Sequence, residues 1–108
     1  MSRYAVFLSG PISGEPDFGT QAFMDAAVLI RALGLTVFNP REMDGGDTSL
    51  PREHYMRVCL QVLVNDSDSL VSLPKWSSSK GAYLERKVAE ELGLPVWNLA
   101  AFLKAYRV

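Results

Sequence analysis

The sequence predicts a three-layer α/β fold, Rossmann-like or flavodoxin-like, with a mainly parallel four-stranded sheet in the order 2-1-3-4. Three observations carry this. Four short strand-like runs alternate with helix-period patterns. The connections are short enough to imply right-handed crossovers between parallel strands. No repeat, linker or low-complexity tract divides the 108 residues, so residues 1–108 form one domain around one core.

The elements follow in order. Tyr4-Ala5-Val6-Phe7-Leu8 is continuously apolar and stops at Ser9-Gly10-Pro11, as a buried central strand does. From Phe18 to Leu33, Phe23, Ala26, Ala27, Ile30 and Leu33 recur at spacings of three and four, and Gly34 stands where a C-cap glycine belongs. Leu35-Thr36-Val37-Phe38 is the second strand, closed by Asn39-Pro40; Arg41 to Leu50, with Gly45-Gly46 and little periodicity, reads as a mobile loop. Pro51 opens a second helix in its first turn, running to about Val64, with Tyr55, Val58, Cys59 and Val62 as its apolar stripe. Ser69 to Leu73 is the third strand, broken by Pro74. Lys80 to Leu92 is a helix ending at Gly93, Pro95 to Asn98 a short fourth strand, and Leu99 to Tyr106 a last helix covering the sheet with Phe102, Leu103 and Tyr106.

In the order 2-1-3-4 the chain leaves the first and third strands in opposite directions, which opens a crevice at their C-terminal ends. The loops after Leu8 and after Leu73 flank it.

Composition narrows the function classes. A net charge of −1 and a pI near 5.7 give no broad reason to bind a nucleic acid polymer or an anionic membrane. The N-terminus lacks a signal-peptide pattern and no apolar run approaches membrane-spanning length, so a soluble cytoplasmic protein is expected. Cys59, the single cysteine, lies between Val58 and Leu60 and reads as a small buried hydrophobe. With one Cys and one His at no metal-ligand spacing, neither a metal site nor a cofactor is expected.

The two crevice loops carry the chemistry. Around Gly10 and Gly14 the backbone can approach a phosphate or sugar closely, and Ser9 and Ser13 add hydroxyl donors; a plain Gly-Pro turn is the competing reading. Ser77, Ser78 and Ser79 precede a helix. One of them suffices as an N-cap, while the same helix end attracts anions. Glu85, one turn inside, is either a solvated surface glutamate or a carboxylate facing the crevice. Trp76, in a polar loop, offers a flat face to a base, as do Phe18 and Tyr55, for which core packing competes. Asp17 reads as an exposed loop residue, Asp68 as a turn residue at the far end of the sheet, and His54 as part of a solvated helix face.

Taken together, Tyr4 to Gly14, Phe38-Asn39-Pro40, Tyr55, Asp68, Leu73-Pro74-Lys75-Trp76, Ser79, Gly81-Ala82, Glu85, Ala89 and Leu92-Gly93-Leu94-Pro95 resemble the nucleoside 2-deoxyribosyltransferase-like superfamily, in particular its small DUF4406 branch. The resemblance implies that Glu85 is a nucleophile attacking C1′ of a nucleoside or nucleotide, with Gly81 in the adjoining ligand-binding turn. Relatives acting on free nucleosides have an aspartate where this chain has Ser79; relatives hydrolysing nucleoside 5′-monophosphates have serine there and use it on the phosphate. Those hydrolases also use a Gly-x-Ile-Arg-Gly loop, matched here by Gly10, Ile12, Ser13 and Gly14, so Ser13 stands in place of the arginine. That loses a bidentate cation, for which Lys75, Lys80 or Arg52 would have to compensate.

The expected function is therefore an N-glycosidase cleaving a small nucleoside 5′-monophosphate or related nucleotide through Glu85. A non-catalytic nucleotide-binding or sensing module and a deoxyribosyltransferase are the alternatives. The resemblance also implies a homodimer or larger homo-oligomer.

Overall fold

The computed structural model describes residues 3–46 and 49–106. Four strands, β1 (Val6–Ser9), β2 (Val37–Phe38), β3 (Leu70–Ser72) and β4 (Val96–Asn98), form a sheet in the order β2-β1-β3-β4. Every pairing is parallel, with Phe7 opposite Phe38 and Leu70, and Leu70 opposite Val96. The helices are α1 (Thr20–Arg31), α2 (Arg52–Asp66), α3 (Lys80–Glu91) and α4 (Leu99–Ala105). Among the described residues no helix is long and apolar enough to cross a membrane.

The period-two alternation of the strands sorts the core into two layers. Val6, Leu8, Val37 and Val71 face α1 and α4, where they pack with Phe23, Ala26, Ala27, Ile30 and Phe102. Phe7, Phe38 and Leu70 face the other way, onto Cys59 and Leu63 of α2 and Ala89 of α3. Continuing the alternation, Ser9 and Ser72 fall on the α2 and α3 side.

The strands are shorter than the apolar runs suggest, because side chains take over the ladder at its ends. The Ala5 amide donates to Thr36 Oγ1 at 2.8 Å, and Ser69 Oγ donates to the Ala5 carbonyl at 2.7 Å. These bonds satisfy backbone groups that regular pairing would otherwise hold.

Three further boundaries move for identifiable reasons. α1 starts at Thr20 rather than Phe18, because Phe18 (φ 55°) and Gly19 (φ 72°) are both left-handed. Pro51 precedes α2 as an extended residue (ψ 147°) instead of occupying its first turn, and the buried positions of that helix are Cys59 and Leu63, with Tyr55, Val58 and Val62 only half-buried. The segment expected as a mobile loop from Arg41 to Leu50 begins as a 3₁₀ helix, Pro40–Gly46; positions 47 and 48 of it lie outside the described residues. Buried Asn39 starts that helix, its Oδ1 accepting from the Arg41 amide at 2.9 Å. Arg31 then grips Glu42 through two hydrogen bonds, of 2.7 and 2.9 Å. Both helix stops hold, with Gly34 (φ 85°) and Gly93 (φ 73°) left-handed as C-cap glycines.

α3 approaches the sheet through alanines, and Ala89 is completely buried against Phe7 and Leu70. Ala89→Leu is expected to overpack this contact and lower stability by about 1–3 kcal/mol, measured as the shift in urea midpoint at constant m-value.

Candidate functional site

On α3, Ala82, Glu85 and Ala89 recur at spacings of three and four and are the buried residues of the helix. Glu85 therefore lies on the sheet-facing stripe, and the solvated-glutamate alternative does not describe it: its exposure is 7%. The small neighbours on that stripe bring the helix close enough for the carboxylate to meet the end of β1. There Ser9, turned to this side by the strand alternation, donates its hydroxyl to Glu85 Oε1 at 2.7 Å. Among the described residues no other donor reaches the carboxylate.

Glu85 closes one side of a cavity of about 470 Å³ at the C-terminal edge of the sheet. The loop after β1 contributes Gly10, Ile12, Ser13 and Phe18. The segment after β2 contributes Pro40, Arg41 and Met43. α2 and its approach supply Leu50, Arg52, Tyr55, Met56 and Cys59, and the start of α3 supplies Ser78 to Ala82. Of the residues singled out from sequence, Gly10, Ile12, Ser13, Ser79, Gly81 and Glu85 meet on this wall, and Ser9 joins them through its bond to Glu85.

Gly14 and Trp76 are not on it. Left-handed Lys75 (φ 68°) turns the chain into a short 3₁₀ turn, Trp76–Ser78. The Trp76 ring there stacks on Tyr83 at 6.3 Å and carries the Arg86 guanidinium at 4.2 Å. Arg86 is fixed in turn by donating to Ser72 Oγ at 3.0 Å. The aromatic that looked least like a packing residue thus finds its partners on α3, in Tyr83 and Arg86.

Two glycines act through close approach. A Cβ on Gly10 would come within 2.8 Å of Leu73 Cβ, so its bareness lets the ends of β1 and β3 close up; the Leu73 amide donates to the Ser9 carbonyl there at 2.8 Å. A Cβ on Gly81 would lie 3.3 Å from Met56 Sδ and 3.8 Å from Arg52 Nη2, which places the Arg52 guanidinium beside the first turn of α3. Ser79 is the N-cap of α3, its Oγ accepting from the Ala82 amide at 3.3 Å, and it also faces the cavity; Ser78 Oγ donates to the Lys75 carbonyl.

The electrostatics are uneven. Arg41, Arg52 and Lys80 line the cavity, whereas Lys75 does not, and the first turn of α3 holds no acidic residue. A helix N-terminus with cations beside it and no anion favours negative charge in the cavity. Among the described residues Glu85 is the single carboxylate on the wall. Burial pushes it up from the ordinary value of 4.5 to about 7, against the opposing hydrogen bond from Ser9. Burial, and secondarily the Glu85 charge, push the Cys59 thiol well above its usual range. Such surroundings disfavour the thiolate that a nucleophilic cysteine needs.

Sequence reasoning missed Arg41, Met43 and Met56. The available signal was topological, since the segment after β2 ends beside β1 on the same edge of the sheet. Asp17 caps α1, accepting from the Gly19 and Gln21 amides at 3.0 Å each; these backbone bonds, Gln21 foremost, hold its carboxyl below the usual range. Asp68 is exposed at the opposite end of the sheet, its amide bonded to the Tyr4 carbonyl. The His54 ring lies edge-on to Tyr55 at 5.5 Å. Among the described residues no three His, Cys, Asp or Glu side chains gather as a metal-ligand set.

Residues 4–98 match the family profile of DUF4406, a domain of unknown function, and the chain belongs to that family. No curated protein matches it.

The buried carboxylate carries a stability cost. The folded chain retains the Glu85 proton up to about pH 7, whereas the unfolded chain loses it near pH 4.5, so the folded state holds more protons between those values. Stability accordingly falls as pH rises through this window, and above pH 7 the full penalty is about 3 kcal/mol. Glu85→Gln, which keeps an acceptor for Ser9, is expected to raise stability at pH 8 by about 1–3 kcal/mol and to flatten its pH dependence between 4.5 and 7. Urea denaturation of both proteins at pH 5 and pH 8 measures this.

Proposed function

We propose that this DUF4406 protein is an N-glycosidase that cleaves a small nucleoside or deoxynucleoside 5′-monophosphate, with Glu85 as nucleophile. The observation that carries the proposal is the pairing of a buried, Ser9-anchored carboxylate with a cavity wall on which Arg41, Arg52 and Lys80 lie. A nucleotide has the matching polarity. Its phosphate complements Arg41, Arg52, Lys80 and the N-terminus of α3, and its anomeric carbon is the electrophile a carboxylate can attack. The cavity also falls in the size range of small-molecule sites, about 300–1,000 Å³. Resemblance to the nucleoside 2-deoxyribosyltransferase-like superfamily supports the same assignment.

In this mechanism Glu85 Oε2 attacks C1′ while Ser9 holds Oε1. The C1′–N bond breaks with its electron pair passing to the base, which takes a proton from solvent and leaves, and a C1′–O ester joins sugar to enzyme. Water then attacks C1′, the C1′–O ester bond breaks to return the carboxylate, and the proton shed by that water goes back to solvent, as in retaining glycosidases. A second base in place of water would give the deoxyribosyltransferase. Serine at position 13, on the cavity wall where the hydrolases place an arginine, favours as the second reading a module that binds or senses nucleotides without turnover.

A cytoplasmic location, where such nucleotides are found, is part of this proposal. A homodimer or larger assembly belongs to the same proposal, and the surface it would use is the exposed apolar side of α1 and the turn after it, where Met24, Val28, Leu29 and Leu33 are exposed. Val28→Glu should then shift the sedimentation coefficient toward that of the monomer; a wild-type protein monomeric at all concentrations would remove the assembly.

The nucleophile must be ionised, and its proton leaves near pH 7. Release of free base from a panel of nucleoside 5′-monophosphates should therefore rise about tenfold per pH unit below 7 and level off above it. Glu85→Ala should lower the rate by at least a factor of about 10³. Base release equal in wild type and Glu85→Ala rules out the enzyme, and binding without release in either protein selects the sensing module.

A further inference from the structure

Phe18 occupies a position that neither core packing nor backbone preference explains. Its side chain is 44% exposed, its φ is 55°, and it lines the cavity. A bulky residue at positive φ is a steric outlier, and such outliers gather at ligand clamps where surrounding structure holds them in place. Three contacts do the holding. The Asp17 carboxylate accepts from the Gly19 and Gln21 amides on the far side of Phe18. Gly19 (φ 72°) packs so closely on the Pro11 carbonyl that a Cβ there would lie 2.5 Å from its oxygen. Arg41 donates from Nε to Thr20 Oγ1 at 3.3 Å and sets its guanidinium over the Phe18 ring at 5.9 Å.

We propose that Phe18 is the stacking platform for the planar aromatic group of the ligand, with Arg41 bracing it. This deepens the nucleotide assignment above and rests on it for the identity of that group as a nucleobase. The chemistry of the wall fits. Tyr55, Met43 and Met56 add a flat ring and polarizable sulfurs, suited to a π-face, while Arg52, Lys80 and the α3 N-terminus lie where a charged end would go. A ring presented this way recognises any base by its face and leaves the choice among bases to hydrogen bonds elsewhere.

Calorimetric titration of wild type, Phe18→Gly and Phe18→Tyr with a purine and a pyrimidine nucleoside 5′-monophosphate, ribose 5-phosphate and free adenine tests the platform. Glycine accepts the positive φ, so Phe18→Gly keeps the loop, and an unchanged thermal midpoint verifies this. The expected result is an affinity for both monophosphates about ten- to a hundredfold weaker in Phe18→Gly, near wild type in Phe18→Tyr, with ribose 5-phosphate binding the same in all three. Unchanged monophosphate affinity in Phe18→Gly, or an equal loss for ribose 5-phosphate, overturns the platform and leaves the nucleotide assignment standing. Adenine binding that is lost in Phe18→Gly while no monophosphate binds to wild type keeps the platform and overturns that assignment. Binding of no probe overturns both.

Discussion

Burial of one carboxylate determines the organisation of this protein. Glu85 projects from the sheet-facing side of α3, a stripe otherwise made of alanines, and its only hydroxyl donor among the described residues is Ser9 at the end of β1. Removing an ionisable group from water is costly, and one hydrogen bond does not cancel the cost, which is why the proton is held to about pH 7. A residue selected for stability at this position would be apolar. Keeping glutamate there makes chemical sense when a desolvated carboxylate is the reagent, and functional sites are where local rules of stability are broken.

The rest of the fold delivers partners to that carboxylate. The order β2-β1-β3-β4 sends the chain away from β1 and β3 in opposite directions, and the 470 Å³ cavity sits at the edge where it does so. Three consequences of parallel packing converge there. β1 ends in Ser9, the segment after β2 brings Arg41, and α3 begins at Lys80, behind its N-cap Ser79, with its N-terminal end on the cavity wall. The small residues at positions 10 and 81 permit the close approaches that shape it, one toward Leu73 and the other toward Met56 and Arg52.

Much of this was legible in the sequence. Uninterrupted apolar runs marked the buried strands, three-and-four spacing marked α1, and Gly34 and Gly93 marked the ends of α1 and α3; short connections then implied the parallel order. Glu85 was identifiable as a candidate, but its burial was not, because the identity of the sheet-facing side depends on how far α3 rotates about its axis. The Ala82-Glu85-Ala89 spacing was the signal for it. Trp76 illustrates the opposite limit. Its polar neighbours suggested a ligand-facing ring, yet left-handed Lys75 and the partners Tyr83 and Arg86 turn it elsewhere, and positive φ at a lysine has no local sequence signature. The 3₁₀ helix after β2 escaped notice for a related reason, since it is held by the Asn39 cap and by the tertiary Arg31–Glu42 pair rather than by periodicity.

The most direct measurement is the titration of the Glu85 side-chain carboxyl itself, followed by carbon NMR of glutamate-labelled protein with Glu85→Gln used to assign the resonance. A midpoint near pH 7 is predicted, displaced to a different value in Ser9→Ala by loss of the hydroxyl donor. A midpoint at the ordinary 4.5, indifferent to Ser9, would mean that the carboxylate is solvated and that the site is not built around it.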